Sequence, residues 1–352
     1  MVASLTTVAI TTRRVIRYSV IFLIAFIIFR IVFSFAQKLY IKSHPTPPPA
    51  PTLLFGKLPK LAFPENKDLP NFEYKIETPT GNLPKLGEQA KIYFMPSSSP
   101  NLFSATNARK KAASLGFTNE PIELSPTVLL FKHQSLPSTL ELNTVNLTFS
   151  ISYDLAADRS ILTFRPLPPE VAISRVKEFL AGAGLLLPDL SGPAVHEFLV
   201  LEDQKLKTAN SLSEAQFIKV NLYRKDYNNL PNIGNNPDQA NVWFLVSGSP
   251  EAGKKVFAGQ YHYFSIDESK SATYPIIITQ KAVDELTGGN AYIANLGENS
   301  DGKVTIRKIY LAYYDSGIPE SFYQPIFVFE GDRNFFAYVP AISRDYYGEE
   351  KK

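Results

Sequence analysis

The sequence predicts an α+β protein: one N-terminal transmembrane helix, then about three repeated units, each of one helix followed by antiparallel strands. Three observations carry this. Residues 18–36 form a single apolar run, and nothing later in the chain is apolar for as long. A proline-rich stretch, His44-Pro-Thr-Pro-Pro-Pro-Ala-Pro51, sets that run apart from the remainder. Beyond it, three short stretches of helical periodicity each stop at glycine and lead into strand-like runs.

The apolar run comes first. As a helix rising 1.5 Å per residue, residues 18–36 reach roughly 28 Å, close to the hydrocarbon thickness of a bilayer. Arg13, Arg14 and Arg17 lie before the run, and Lys38 and Lys42 lie after it. The positive-inside rule then favours a cytoplasmic segment 1–17 and an extracytoplasmic body. Arg30 sits inside the run, where it either snorkels to the interface or meets an acidic group on a partner's transmembrane helix. Ser34-Phe35-Ala36 resembles a signal-peptide cleavage site, but the run exceeds an ordinary signal core of about 7–15 residues. An uncleaved anchor is the expectation, and with no cysteine in the chain a lipoprotein attachment is excluded.

Residues 37–70 read as a linker. Proline lacks the amide donor and fixes φ, so this stretch is expected as a semi-rigid extended spacer between membrane and body. The first unit, 71–165, is expected to hold a helix over 105–115 with Ala108, Ala112 and Leu115 on one face and Gly116 as terminator. Strands are expected at 127–131, 139–142, 147–153 and 161–164, with a further pair at 72–76 and 91–95. The second unit, 166–270, opens on Pro168-Pro169, which suits a first helical turn. Its apolar stripe runs through Ala172, Val176, Phe179, Leu180 and Ala183 to Gly184, and strands are expected at 196–201, 215–223, 242–247 and 256–266. The third unit, 271–342, places a helix after Thr279, buries Ala282, Val283 and Leu286, and stops it at Gly288-Gly289. Its strands are expected at 291–296, 304–314, 322–330 and 335–341, leaving a polar tail, 343–352.

The third unit carries a resemblance. The stretch 274–286, the strands 306–314 and 323–330, and the closing Phe336-Ala-Tyr-Val-Pro-Ala341 together resemble the YycH/YycI type of extracytoplasmic regulator with PepSY-like modules. The resemblance implies one N-terminal anchor, helix-plus-sheet modules outside the membrane, and restraint of a membrane sensor kinase partly through the transmembrane helix.

No catalytic constellation is legible. The four histidines, His44, His133, His196 and His262, are isolated, so no zinc spacing is present, and with no cysteine there is neither thiolate nucleophile nor thiolate metal site. No Gly-x-Ser-x-Gly marks a nucleophile. Gly248-Ser-Pro-Glu-Ala-Gly253-Lys254-Lys255 matches a P-loop through seven positions but has Lys255 where Ser or Thr must reach magnesium, and strand rather than helix follows. A hairpin turn is expected there, and no nucleotide. Asn299-Ser-Asp301-Gly302-Lys303 lacks the alternating carboxylates of a calcium loop and reads as a turn. Residues 226–238 read as a long polar excursion, with a binding loop as the alternative.

The function classes follow. Lys plus Arg number 36 against 33 Asp plus Glu, with no basic stripe, so no nucleic-acid partner is expected. No cofactor, metal or catalytic residue is assigned. The expected role is a non-catalytic interaction or regulatory protein, anchored in the bilayer through residues 18–36 and meeting a membrane or envelope protein. Arg30, Tyr313, Tyr314 and Tyr323 are the candidate contacts, since strands this aromatic either fill a core or offer a patch. Trp243 is expected in the core. The alternatives are an envelope hydrolase, with Asp226, Asp238, Asp315 and Glu320 as its loop carboxylates, or a PepSY-like protease inhibitor.

Overall fold

The structure, a computed structural model, describes residues 5–43, 49–66 and 68–348. Residues 1–4 of the expected cytoplasmic segment, 44–48 of the proline-rich stretch (His44 among them) and 349–352 of the tail lie outside the described residues. The chain divides into two units, Met1–Ala50 and Pro51–Lys352.

The first unit is helix α1 (Leu5–Ser43). It runs past the expected span at both ends and takes up the first residues of the expected linker. Within it, Thr12–Tyr40 is long and apolar enough to cross a membrane, and every side chain along that stretch is exposed. Such a face is stable only where the surroundings are as apolar as the side chains.

The second unit, the body, is mixed α+β and mostly sheet. It begins with β1 (Glu73–Ile76), β2 (Gln89–Phe94), α2 (Ser104–Ser114), β3 (Ile122–Ser125), β4 (Val128–Lys132), β5 (Ser138–Asn143) and β6 (Phe149–Tyr153). Helix α3 (Pro169–Gly182) is followed by β7 (Ala194–Glu202), β8 (Lys205–Thr208), β9 (Phe217–Leu222), β10 (Asn232–Gly234) and β11 (Val242–Val246). One turn, α4 (Ala252–Lys255), leads to β12 (Val256–Tyr261) and β13 (Asp267–Pro275). Helix α5 (Thr279–Thr287) then precedes β14 (Tyr292–Asn295), β15 (Lys303–Asp315), β16 (Phe322–Tyr323), β17 (Pro325–Gly331) and β18 (Phe335–Pro340).

The expected first and second units are not separate. Their strands form one nine-stranded sheet, β3-β4-β5-β6-β12-β11-β9-β7-β8, closed in the middle where Ile151 pairs with Gly259. Helices α2 and α3 lie on the same side of it. Ala108 and Ala112 of α2, and Ala172, Val176 and Leu180 of α3, share one core with Phe131, Leu140, Phe149, Val220 and Phe244. Gly116 (φ +95°) and Gly184 (φ +63°) follow these two helices in the left-handed region that lets the chain reverse. On the other side, the expected strand 161–164 is instead a 3-10 turn, Ser160–Thr163, which buries Ile161 against Leu199, Phe217 and Phe257.

The third unit gathers strands from outside itself. The sheet runs β1-β15-β17-β18-β14, with β10 also paired to β15. The strands at 72–76 and 91–95 therefore do not join the first unit. Strand β1 lies parallel to β15 at Lys303–Ile306, and Phe72 and Tyr74 set their rings against Phe335 at 5.8 and 6.1 Å. Strand β2 is the centre of a three-stranded sheet, β13-β2-β16. Helix α5 packs through Ala282, Val283 and Leu286 on Phe327, Phe329 and Ala337.

The linker differs as well. From Pro51 onward it is a strap sewn to the body rather than a spacer. Leu58 is fully buried, its N–H donates to Tyr346 O at 2.8 Å, and its carbonyl accepts from Gly348 N at 3.1 Å. Tyr274 Oη donates to Gly56 O, and Gln324 Nε2 donates to Pro59 O. The prolines remove N–H groups that a sheet would need, but the leucines between them supply the apolar area that holds the strap down.

Candidate functional site

The most concentrated chemistry in the body lies where the nine-stranded and six-stranded sheets meet. Arg224 follows β9, Asp189 sits in the 3-10 turn Pro188–Ser191 after α3, and Asp315 ends β15. Arg224 is buried. Its Nη1 donates to Asp189 Oδ2 and its Nε to Asp315 Oδ2, both at 2.7 Å, while Nη2 donates to Phe264 O at 2.6 Å. Tyr263 Oη donates to Asp189 Oδ1 at 2.7 Å and Tyr227 Oη to Asp189 Oδ2 at 3.1 Å. The guanidinium also lies 4.2 Å from the centre of the Tyr263 ring, a cation–π contact.

The charge state follows from these contacts. Burial alone would lower the Arg224 pKa, but Asp315, Tyr323 and Asp189 more than offset it, so the guanidinium stays charged. Burial, with Asp189, pushes the Tyr227 and Tyr263 hydroxyls well up, which keeps them as neutral donors. One guanidinium serves two carboxylates, and each of its three nitrogens donates to a protein acceptor. The arrangement ties two sheets together, with no nucleophile poised against a base.

Tyr313, Tyr314 and Tyr323, expected as contact residues, belong to the same junction and are buried, at 0, 1 and 1 % exposure. They offer no surface to a partner. Tyr313 and Tyr323 stack with ring centres 5.0 Å apart, and Tyr313 Oη donates to Lys91 O at 2.8 Å. Tyr323 bonds to Asn232, and Tyr314 to Asn235. Asn232 opens β10 and Asn235 follows it, so the segment 226–238 is not a free excursion: residues Asn232–Gly234 pair in parallel with Tyr313–Asp315. Arg30, the remaining contact candidate, is an exposed residue of α1.

The loop carboxylates are dispersed in role. Asp315 is held by Arg224, and Asp238 accepts from Asn295 and Asn334 at 3.0 and 2.9 Å. Asp226 is exposed. Glu320 differs: burial pushes its carboxyl up to about 7, Ser316 and the Ala62 amide counter only part of that rise, and its Oε1 is a buried atom with no hydrogen-bond partner. It borders a cleft of about 250 Å³ between the sheets, lined in part by Ser97, Asn146, Leu187, Tyr261 and Phe264.

The motif mimics resolve as turns. The P-loop-like stretch joins antiparallel β11 and β12. Its Lys254 Nζ lies 3.0 Å from Asp158 and 2.9 Å from Glu251 and donates to Ser160 Oγ, so it braces a loop rather than a phosphate. A Cβ on Gly248 would meet Arg165 O at 1.8 Å, which explains the glycine without a ligand. Asn299 Nδ2 donates to Leu296 O and Asp332 O, and Asp301 pairs with Arg333, which fixes the turn before β15. Among the described residues no group of three or more His, Asp or Glu is placed to hold a metal ion. Trp243 is half-buried, with Lys219 Nζ 5.5 Å from its ring centre. His196 is exposed on β7, and burial lowers the pKa of His262, which contacts Gln260.

No protein-family model matches the chain, and no curated protein matches it. Among solved structures, an uncharacterised protein from Eubacterium rectale ATCC 33656 is similar at 12% identity and a TM-score of 0.40, covering 76% of this chain and 86% of that one.

Proposed function

We propose that this protein is a single-pass, membrane-anchored interaction or regulatory module whose body works outside the cytoplasm and engages a membrane or envelope protein. The observation that carries the reading is α1: an apolar helix exposed along Thr12–Tyr40 requires an apolar surrounding. The body supports it by what its polar groups are doing. At the junction Arg224, Asp189, Asp315 and the tyrosine hydroxyls are spent on one another, which suits a rigid scaffold. A sensor kinase restrained through the transmembrane helix is the partner that the YycH/YycI-like pattern of the third unit suggests, with Arg30 as the polar contact inside the membrane.

The hydrolase reading needs two carboxylates across one cleft. Glu320 has the raised pKa of an acid, but Asp315, the nearest candidate in sequence, is committed to Arg224.

Crosslinking in native membranes tests the proposal. Full-length protein is compared with a version whose residues 18–36 are exchanged for an unrelated anchor. The expected result is a membrane receptor recovered with the first and lost with the second. Recovery of no reproducible membrane or envelope partner by either version refutes the reading.

A further inference from the structure

Charge is distributed unevenly along this chain. Eight Lys and Arg precede Glu65, which is the first acidic residue, so the remainder carries 28 basic against 33 acidic side chains. Part of this cationic segment belongs to the body: the strap brings Lys60 to the rim of a second cleft, of about 400 Å³, between the strap, α5 and the end of β18. The floor of that cleft is apolar, built from Leu61, Ile277, Val339 and Ile342, each less than a tenth exposed. Its rim carries two cations, Lys60 and Arg344, and one carboxylate, Glu285. Arg344 commits Nη2 to Glu285. Lys60 is exposed, and among the described residues no hydrogen bond or ion pair engages its ammonium.

We infer that this cleft binds the headgroup of an anionic membrane lipid, with the phosphate on Lys60 and Arg344 and the first carbons of the lipid on the apolar floor. Charge complementarity and the anchor argue for this occupant. Arg and Lys are the ordinary ligands of a phosphate, and an anionic headgroup brings one to the membrane surface. An apolar floor beneath two cations fits an amphiphile better than a free ion. The strap is also the first segment of the body after α1. The inference rests on the membrane-anchored reading above. It adds a lipid to the protein partner proposed there.

The test uses the full-length protein in a neutral detergent, titrated with dihexanoyl-phosphatidylglycerol, dihexanoyl-phosphatidylcholine and inorganic phosphate. Hydrogen exchange at residues 58–62 and 339–344 is the readout. Saturable protection by the glycerol lipid is expected, at least tenfold tighter than by the choline lipid or by phosphate. Lys60→Ala combined with Arg344→Gln should weaken it at least tenfold, and Lys60→Arg should preserve it. The inference is overturned if the double variant binds as the wild type does, if the choline lipid binds equally well, or if phosphate alone gives the full protection. Alkaline carbonate extraction of membranes separates the two readings. Release of the protein refutes the anchor whatever the cleft binds, and retention with no headgroup selectivity refutes the cleft alone.

Discussion

Burial beside the inter-sheet cleft pushes the Glu320 carboxyl up to about 7 from an ordinary 4.5. The sign of its contribution is opposite to that of a salt-bridged carboxylate. Between those two values the folded chain holds a proton that the unfolded chain has released, so stability falls as pH rises through this window. Above it, a charge is kept where Oε1 has no partner. Glu320→Gln is therefore expected to raise the free energy of unfolding at pH 8 by on the order of 1–3 kcal/mol, and with it the melting temperature, and to leave both nearly unchanged at pH 4.5. Thermal unfolding at both values checks this, and equal effects at the two pH values would exclude titration of Glu320 as the cause. The sequence marks Glu320 only as one of four loop carboxylates, and nothing in Ser316-Gly-Ile-Pro-Glu320 sets it apart from the other three. One of its partners is the Ala62 amide of the strap, more than 250 positions away in the chain.

Elements with a strong local signature were legible, and those defined by distant partners were not. The helices α2, α3 and α5 announce themselves by small and apolar residues at helical spacing and by the glycines that end them. Strand β10 has no such mark: Asn-Ile-Gly shows neither alternation nor length, and it exists because β15 offers Tyr313–Asp315 as a parallel edge. The strap is the sharper case. Proline content argues for an extended chain, but the strap turns between Leu53 (φ +51°) and Gly56 (φ +67°), and Leu58 and Leu61 decide where it lies. Leu58→Ala removes a fully buried side chain and is expected to cost about 2–5 kcal/mol if the strap is an integral part of the body. A strap that merely grazes the body would give a loss below about 1 kcal/mol in chemical denaturation.

At the scale of the whole body, two cores of comparable size coexist, one between α2, α3 and the nine-stranded sheet and one between α5 and the six-stranded sheet. The helix-then-strands order visible in the sequence identified most strands that form them. It could not show that β1 and β2 pair with strands 170 residues or more further along, because parallel and long-range pairings leave no trace in local periodicity. Nor did it single out Arg224, whose neighbours Leu222, Tyr223 and Lys225 read as the end of a strand. Yet Arg224 is what couples the cores: Asp189 and Tyr263 come from the first half and Asp315 from the second, all meeting one guanidinium. Arg224→Ala strands two carboxylates in a buried site, which is expected to cost about 3–5 kcal/mol. Because each half keeps its own apolar core, the loss falls on their coupling, and calorimetry should resolve two transitions where the wild type gives one. Hydrogen exchange would assign them, the weaker half losing protection in its strands while the other retains it. A variant that melts in one transition at lower temperature, with both halves exchanging together, would mean that apolar contacts such as the stacked Tyr313 and Tyr323 are sufficient to couple the sheets without the ionic network.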